Sequence, residues 1–218
     1  MYPLTPEMLL SAYCQGAFPM GRDRDDPDLV WLSPEMRGIL PLSGLHVSRS
    51  LKKTLRKAPF DVTADTDFPG VVAACAAPAP GREDTWITPR IADLYTRLHA
   101  MGFAHAIECR SGGELAGGLY GISIGAAFFG ESMFSRRTDA SKIALVHLVA
   151  RLRAGGYTLL DTQFITPHLA TLGAVEIPRP LYLRRLALAI RGEADFHPPP
   201  HRIAAELALL RGAADRPG

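Results

Sequence analysis

Cysteine is scarce in this chain of 218 residues: Cys14, Cys75 and Cys109 are the three present, odd in number and far apart. They offer neither a disulfide framework nor paired metal spacing, and read as small buried thiols of a reducing compartment. Charge of one sign is lacking too. Twenty-four Lys and Arg against 22 Asp and Glu leave a net +2, so any nucleic-acid partner needs a local basic patch. The first ten residues carry Pro3, Pro6 and Glu7 and no basic start before an apolar run, so no signal peptide is read. No stretch reaches the ~20 apolar residues that a membrane helix requires. These absences predict a soluble, cytoplasmic protein with a monomer as the default. There is no HExxH helix, no nucleophile elbow and no histidine pair at ligand spacing, hence no sequence case for a metal. Ser132 and Ser135 have no His–Asp partner nearby, which weakens a serine nucleophile.

What the chain does have is apolar material, at 47% hydrophobic residues and a mean hydropathy of +0.06. That is enough for a packed core. The patterning predicts a short helix over Glu7–Gln15 stopped by Gly16, and an extended turn over Ala17–Met20. A solvated loop follows at Gly21–Asp28, then short strands within Leu29–Leu42 because two prolines interrupt that run. Val47–Lys57 reads as a helix, Phe60–Ala64 as a strand and Phe68–Ala77 as a helix capped by Thr66 or Asp67. A Pro/Gly joint runs from Pro78 to Gly81.

The second part is more regular. Thr88-Pro89 supplies a cap and a first-turn proline for a helix through Met101. Ala104–Cys109 and Glu114–Gly125 form a hairpin around Ser111-Gly112-Gly113, and Ala126–Phe134 follows as a strand. Asp139 is expected to cap an amphipathic helix that buries Ile143, Leu145, Leu148, Val149 and Leu152. Thr158–Thr162 reads as a buried strand, Pro167–Leu172 as helical, and Leu181–Arg191 as the last helix. Pro198–Pro200 and the Ala/Arg-rich end read as peripheral. This order predicts an α+β protein with a mixed sheet flanked by helices, similar to the sheet of GNAT-type acyltransferases. The expected division is a smaller N-terminal α/β lobe over residues 1–80, a GNAT-like catalytic domain over 81–195 and a tail over 196–218.

Polar residues inside apolar strands are the candidate site. Glu131, within Phe128-Phe129-Gly130-Glu131-Ser132-Met133-Phe134-Ser135, is a carboxylate that needs a partner. That partner is either a core donor or a cation brought by a substrate. Asp161 and Gln163 are two residues apart and share a strand face at the end of Leu159-Leu160-Asp161-Thr162-Gln163, where mixed sheets often hold ligands. They either cap the strand end or orient an amine and a carbonyl. The run His46–Lys57 holds Arg49, Lys52, Lys53, Arg56 and Lys57 and no acid. Spacings of three and four put them on one helix face, which suits phosphate better than a merely solvated face of mixed charge. Trp31 and Trp86 are core residues or base-stacking platforms. His99 and His147 fall on helix faces and read as packing or surface residues.

Short strings along the chain also resemble the leucyl/phenylalanyl-tRNA–protein transferases of bacteria. They are Gly16-Ala17-Phe18-Pro19-Met20, Trp31…Ser33-Pro34…Arg37, His46…Ser48-Arg49-Ser50, Thr85-Trp86-Ile87-Thr88, Gly117-Gly118-Leu119-Tyr120-Gly121, Gly130–Ser135, Ala140-Ser141-Lys142, Asp161…Gln163 and Leu172-Gly173-Ala174. They run in family order from about residue 9 to 186. The resemblance implies that the α-amine of a protein beginning with Arg or Lys attacks a Leu or Phe (sometimes Met) ester on tRNA, marking that protein for degradation. Ester-to-amide exchange is downhill, so neither ATP nor a metal is implied, and no cofactor is expected. It further implies that Asp161 and Gln163 form the reaction centre and that Glu131 meets the cationic N-terminus. Trp86, Leu119, Phe128 and Ser135 would hold the aminoacyl group and terminal adenosine, and Arg49, Lys52, Lys53, Arg56 and Lys57 the acceptor stem. The chain departs from some relatives at Met20, where they have Trp, and over Ala104–Arg110.

Two other readings are open on sequence. An acyl-CoA-dependent N-acyltransferase needs a Gly-rich pyrophosphate loop before the central helix, and Arg136-Arg137-Thr138-Asp139-Ala140 has no glycine. A non-catalytic tRNA-binding module accounts for the basic run but gives Glu131, Asp161 and Gln163 no purpose.

Overall fold

The computed structural model describes residues 4–21, 30–78 and 85–212. The loop expected over 22–28 and the joint expected over 79–81 lie outside them. Thr5 opens the chain's first helix, its hydroxyl accepting the Met8 N–H at 3.3 Å, so that α1 spans Pro6–Cys14. A two-stranded antiparallel ribbon follows, β1 (Phe18–Met20) with β2 (Val30–Leu32), and Trp31 is exposed on it. Next come β3 (Met36–Ile39) and then α2 (Arg49–Lys57), capped by Ser48 and ended by Ala58 at φ +43°. After β4 (Asp61–Ala64), the Asp67 carboxylate accepts the Gly70 N–H at 3.0 Å and starts α3 (Phe68–Ala76). Thr88 and Pro89 start α4 (Pro89–Ala100) as expected.

The hairpin joins β5 (Ala104–Ser111) to β6 (Glu114–Ile124). Gly112 and Gly113 both have positive φ, +60° and +84°, the requirement of the two-residue turn that matches strand twist. Then follow β7 (Ala127–Ser135), α5 (Ala140–Ala154) and β8 (Leu159–Gln163). A short α6 (Pro167–Thr171) leads to β9 (Val175–Pro178), a strand the sequence did not announce. The last helices are α7 (Arg179–Ala189) and α8 (Pro200–Leu210).

Seven strands form one sheet in the order β4-β5-β6-β7-β8-β3-β9, with β7–β8 its parallel pair. The expected boundary at residue 80 therefore does not divide the molecule. Strands β3 and β4 precede residue 80, yet β3 lies between β8 and β9, and β4 pairs with β5. One face of the sheet carries α1, α3, α4 and α7 through Leu9, Val71, Leu94 and Leu186, all buried. The other carries α2, α5 and α8 through Leu51, Leu148, Leu207 and Leu210.

Two helix expectations are corrected. Asp139 stands at the start of α5 but makes no capping bond; its carboxylate takes Lys142 Nζ at 3.0 Å and Thr54 Oγ1 at 3.3 Å. Helix α5 is also buried nearly all round, Ala140, Ser141, Ala144, Val146 and Ala150 included, because the sheet covers one side and α8 another. The stretch expected to be peripheral supplies that cover: Phe196, Leu207 and Leu210 are buried against it.

Candidate active site

Strand β7 does not keep a period of two. Its pairing with β6 runs Tyr120↔Ser132 and then Gly121↔Gly130, so Glu131 is an extra residue in a β-bulge. The bulge flips the pleat. Phe129 and Phe134, five apart, face one core, while Phe128 and Met133 face the other. Parallel pairing of β7 with β8 stops at Phe129↔Asp161, although β7 continues to Ser135 and β8 to Gln163. A cavity of about 330 Å³ is lined by residues of both strands beyond that point, Gly130–Met133 on one side and Thr162–Phe164 on the other.

Glu131, only 8% exposed, lines this cavity within a ring of hydroxyls. Tyr13 OH lies 2.7 Å from its Oε1 and Tyr95 OH 2.7 Å from its Oε2. The two phenol oxygens are 2.9 Å apart. Three short O···O contacts thus close a ring to which two phenols bring two protons. Protonating Glu131 supplies the third and makes every contact a hydrogen bond. Burial pushes the Glu131 carboxyl up to about 7, against the opposing hydrogen bonds from Tyr95, Tyr13 and Gln163. Burial, with the Glu131 charge beside them, holds both phenols well above their ordinary value, so they remain donors.

Gln163 Nε2 donates to Glu131 Oε1 at 3.0 Å, which leaves the carboxamide oxygen as an acceptor that no described donor reaches. Its backbone is left-handed, φ +62°. Asp161 imposes that turn by accepting the Gln163 N–H at Oδ1, 2.7 Å away. Asp161 does not line the cavity; it is 0% exposed and fully engaged. Arg37 Nε meets its two oxygens at 2.9 and 3.1 Å, Arg37 Nη2 meets Oδ2 at 2.7 Å, and Tyr182 OH donates to Oδ2 at 2.6 Å. Arg37 lies between the Phe18 and Tyr182 rings, 4.5 and 4.6 Å from their centroids, and donates to the Gly16 carbonyl. Its other partners are thus supplied, as a buried ion pair requires. Tyr13, Tyr95, Arg37 and Tyr182 have no role in the reading from sequence. A lone arginine in the apolar run Met36–Leu40 was the available signal for one of them.

Leu119 and Trp86 line the cavity, with Met133, Leu145, Leu148 and Leu160 adding apolar wall. Tyr120 OH and Thr162 Oγ1 are buried with no hydrogen-bond partner among the described residues, and both side chains belong to the lining. Phe128 is not part of it: its ring is fully buried and stacks on Phe196, 5.6 Å between centroids. Ser135 is also elsewhere, exposed at the end of β7, where its Oγ donates to the Arg137 carbonyl and accepts the Ser141 N–H at 3.4 Å. On α2, Arg49, Lys53, Arg56 and Lys57 are exposed and Lys52 partly so, while Leu51 and Leu55 anchor the opposite face.

The sheet and its cavity define an α+β protein whose candidate site opens where two parallel strands cease to pair, with a buried carboxylate and a carboxamide at its wall. Within that class the sequence comparisons are specific. The family model described as leucyl/phenylalanyl-tRNA protein transferase matches residues 39–187, and the model of that family's N-terminal domain matches residues 3–35. A protein of Cereibacter sphaeroides named leucyl/phenylalanyl-tRNA–protein transferase is 59% identical over 90% of this chain and 90% of its own length. Proteins of the same name are 58% identical in Rhodospirillum rubrum, over 90% of this chain and 92% of theirs, and in Maricaulis maris, over 93% and 94%. The chain belongs to the leucyl/phenylalanyl-tRNA protein transferase family. It is an aminoacyl-tRNA-dependent transferase. The solved structure of L-PGS from Bacillus licheniformis matches with a TM-score of 0.41 at 15% identity, over 78% of this chain and 56% of that one. No helix among the described residues is long and apolar enough to cross a membrane.

Proposed function

We propose that this chain moves Leu or Phe from aminoacyl-tRNA to the α-amine of proteins that begin with Arg or Lys, and that the bulged Glu131 receives the incoming cationic end. The observation that carries this reading is a buried carboxyl of pKa about 7 on the wall of an apolar cavity. An α-ammonium titrates near 7.7–8.0. A base of nearly matched pKa is suited to take its proton and leave the neutral nucleophile. The Gln163 carboxamide oxygen then holds the attacking N–H, and the aminoacyl side chain occupies the wall made by Leu119, Leu145, Leu148 and Leu160. The bond formed is the amide; the bond broken is the ester to the tRNA ribose, whose oxygen leaves with a proton.

Asp161 acts as a positioning residue, since its oxygens are spent on Arg37, Tyr182 and the Gln163 N–H. Orientation of this kind can supply much of the rate. Trp86 flanks the terminal adenosine, and the α2 cations hold acceptor-stem phosphates. The parallel β7–β8 pair that splits at the cavity supports a GNAT-like reading of the sheet. The enzyme works as a monomer in the cytoplasm, where charged tRNA is made, and its product enters degradation.

The test mixes the purified chain with Phe-tRNA or Leu-tRNA and peptides that begin with Arg or Gly. Label is expected on the Arg peptide, and Glu131→Gln should reduce that transfer by roughly 100-fold, as loss of a proton acceptor does. Equal transfer to the Gly peptide would refute recognition by Glu131.

A further inference from the structure

A second cavity, of about 490 Å³, shares no lining residue with the first. At its wall stand Asp65, at the end of β4, His105, at the start of β5, and His197, in the segment between α7 and α8. Asp65 Oδ2 is 2.7 Å from His105 Nδ1 and 2.9 Å from His197 Nε2, so one carboxylate oxygen serves two imidazoles. All three ligand atoms lie within 4.8 Å of one another. Among the described residues it is the cluster of His, Cys, Asp and Glu with metal-ligand geometry.

The surroundings are those of a held site. Asp65 has a left-handed backbone, φ +59°, which Asp tolerates, and its Oδ1 accepts the Ala106 N–H at 2.7 Å. The His105 ring stacks on Phe196 at 4.0 Å, which fixes its plane. His197 is positioned by its own N–H, which reaches Asp195 Oδ1 at 2.7 Å. Arg151, which interacts with both Asp65 and Asp195, donates to the Phe196 carbonyl at 2.9 Å, and His99 Nδ1 stands 4.0 Å from Asp65 Oδ1.

We propose that Asp65, His105 and His197 bind one divalent transition-metal ion of the zinc class, which ties the segment between α7 and α8 to the sheet. Two imidazole nitrogens and one carboxylate oxygen are a donor set for zinc, cobalt or nickel and a poor one for calcium or magnesium. Bonds of about 2.0–2.1 Å in a tetrahedron put ligand atoms roughly 3.3 Å apart. The two contacts, now 2.7 and 2.9 Å, open by about half an ångström when the ion replaces the proton in each, and the cavity leaves the fourth position to water. Sequence spacing could not reveal this set, because 40 residues separate Asp65 from His105 and the third ligand comes from beyond α7. The expectation of no metal rests on the missing paired spacing and on the resemblance, and an ion held by these three residues departs from it.

The experiment titrates the full chain, stripped with a chelator, with Co²⁺ and then displaces the ion with Zn²⁺. Expected are one ion per chain, a visible ligand-field absorption of tetrahedral strength, and a thermal midpoint that rises on binding. His197 is 55% exposed, so His197→Ala leaves the core intact and should weaken binding at least about tenfold. Asp65→Asn keeps a side chain that tolerates the left-handed backbone and should do the same. Absence of the absorption overturns the proposal, as does equal affinity in both variants or an intense thiolate band that traces the ion to a cysteine. A midpoint that does not respond to bound ion overturns the tie between segment and sheet.

Discussion

Gln163 holds a left-handed backbone, φ +62°, at the point where its side chain meets Glu131. A side chain with a Cβ is strained there, and glycine is not. Gln163→Gly should therefore unfold at higher urea than Gln163→Ala, by about 1 kcal/mol, while both lose transfer. Equal stability would mean that the turn costs nothing. Glu131 makes a prediction about pH. Its folded pKa of about 7 stands above the ordinary 4.5, so the folded state holds the proton longer than the unfolded chain does. The associated stability is present below about pH 4.5 and is lost as pH rises through 7, roughly 3 kcal/mol in all. Glu131→Gln removes that slope, so the variant should match the parent near pH 5 and exceed it at pH 8 in denaturant midpoint. A parallel decline in both would place the titration elsewhere. Glu131 and Gln163 were legible in the sequence because a polar residue inside an apolar strand needs a reason. Tyr13, Tyr95 and Tyr182 were not, since a tyrosine on an apolar helix face looks the same whether it packs or donates to a carboxylate.

Helix α2 shows how far elements can be read. The helix and the common face of its five cations follow from spacing, whereas its start at Arg49 with Ser48 as cap, and Leu51 and Leu55 on the buried side, come from the structure. If the exposed cations hold phosphate, Lys53→Glu or Lys57→Glu should weaken aminoacyl-tRNA binding and lower the salt slope of log K by about 1 each. Neither change touches the core, so thermal stability should move by less than about 0.5 kcal/mol. Binding that keeps its salt slope in both variants would remove α2 from the interface. Asp139 shows the limit, because its carboxylate is claimed by Lys142 and by Thr54 on α2, partners that a local cap rule cannot foresee. The bulge at Glu131 is of the same kind. A strict alternation drawn through Phe128–Ser135 puts Phe129 and Phe134 on opposite faces, yet both pack in one core. The extra residue is visible only against the register of β6.

The assembly of the whole sheet was least legible. Helix and strand periods say what each segment is, but not that β3 inserts between β8 and β9, a pairing of residues more than 100 positions apart. That pairing brings Arg37 to Asp161 and so ties the start of the chain to β8, which borders the cavity. The far end is tied in by α8. An apolar face of Ile203, Leu207 and Leu210, at i, i+4 and i+7, packs on the core that includes α5, and the Arg153–Glu206 ion pair beside it, part-exposed, adds little. Helix α5 in turn presents Leu145 and Leu148 to the cavity beside Glu131. Ending the chain at Pro199 should therefore act at a distance. Two buried leucines are worth roughly 3–6 kcal/mol, a large share of the 5–15 kcal/mol that holds a typical domain. The shortened chain is expected to melt well below the parent and, if the wall made by Leu145 and Leu148 receives the aminoacyl side chain, to show a raised KM for aminoacyl-tRNA before kcat falls. Leu207→Ala should show the same order of effects at about half the size. A shortened chain with the parent's melting temperature and KM would mean that α8 rests on α5 without supporting it.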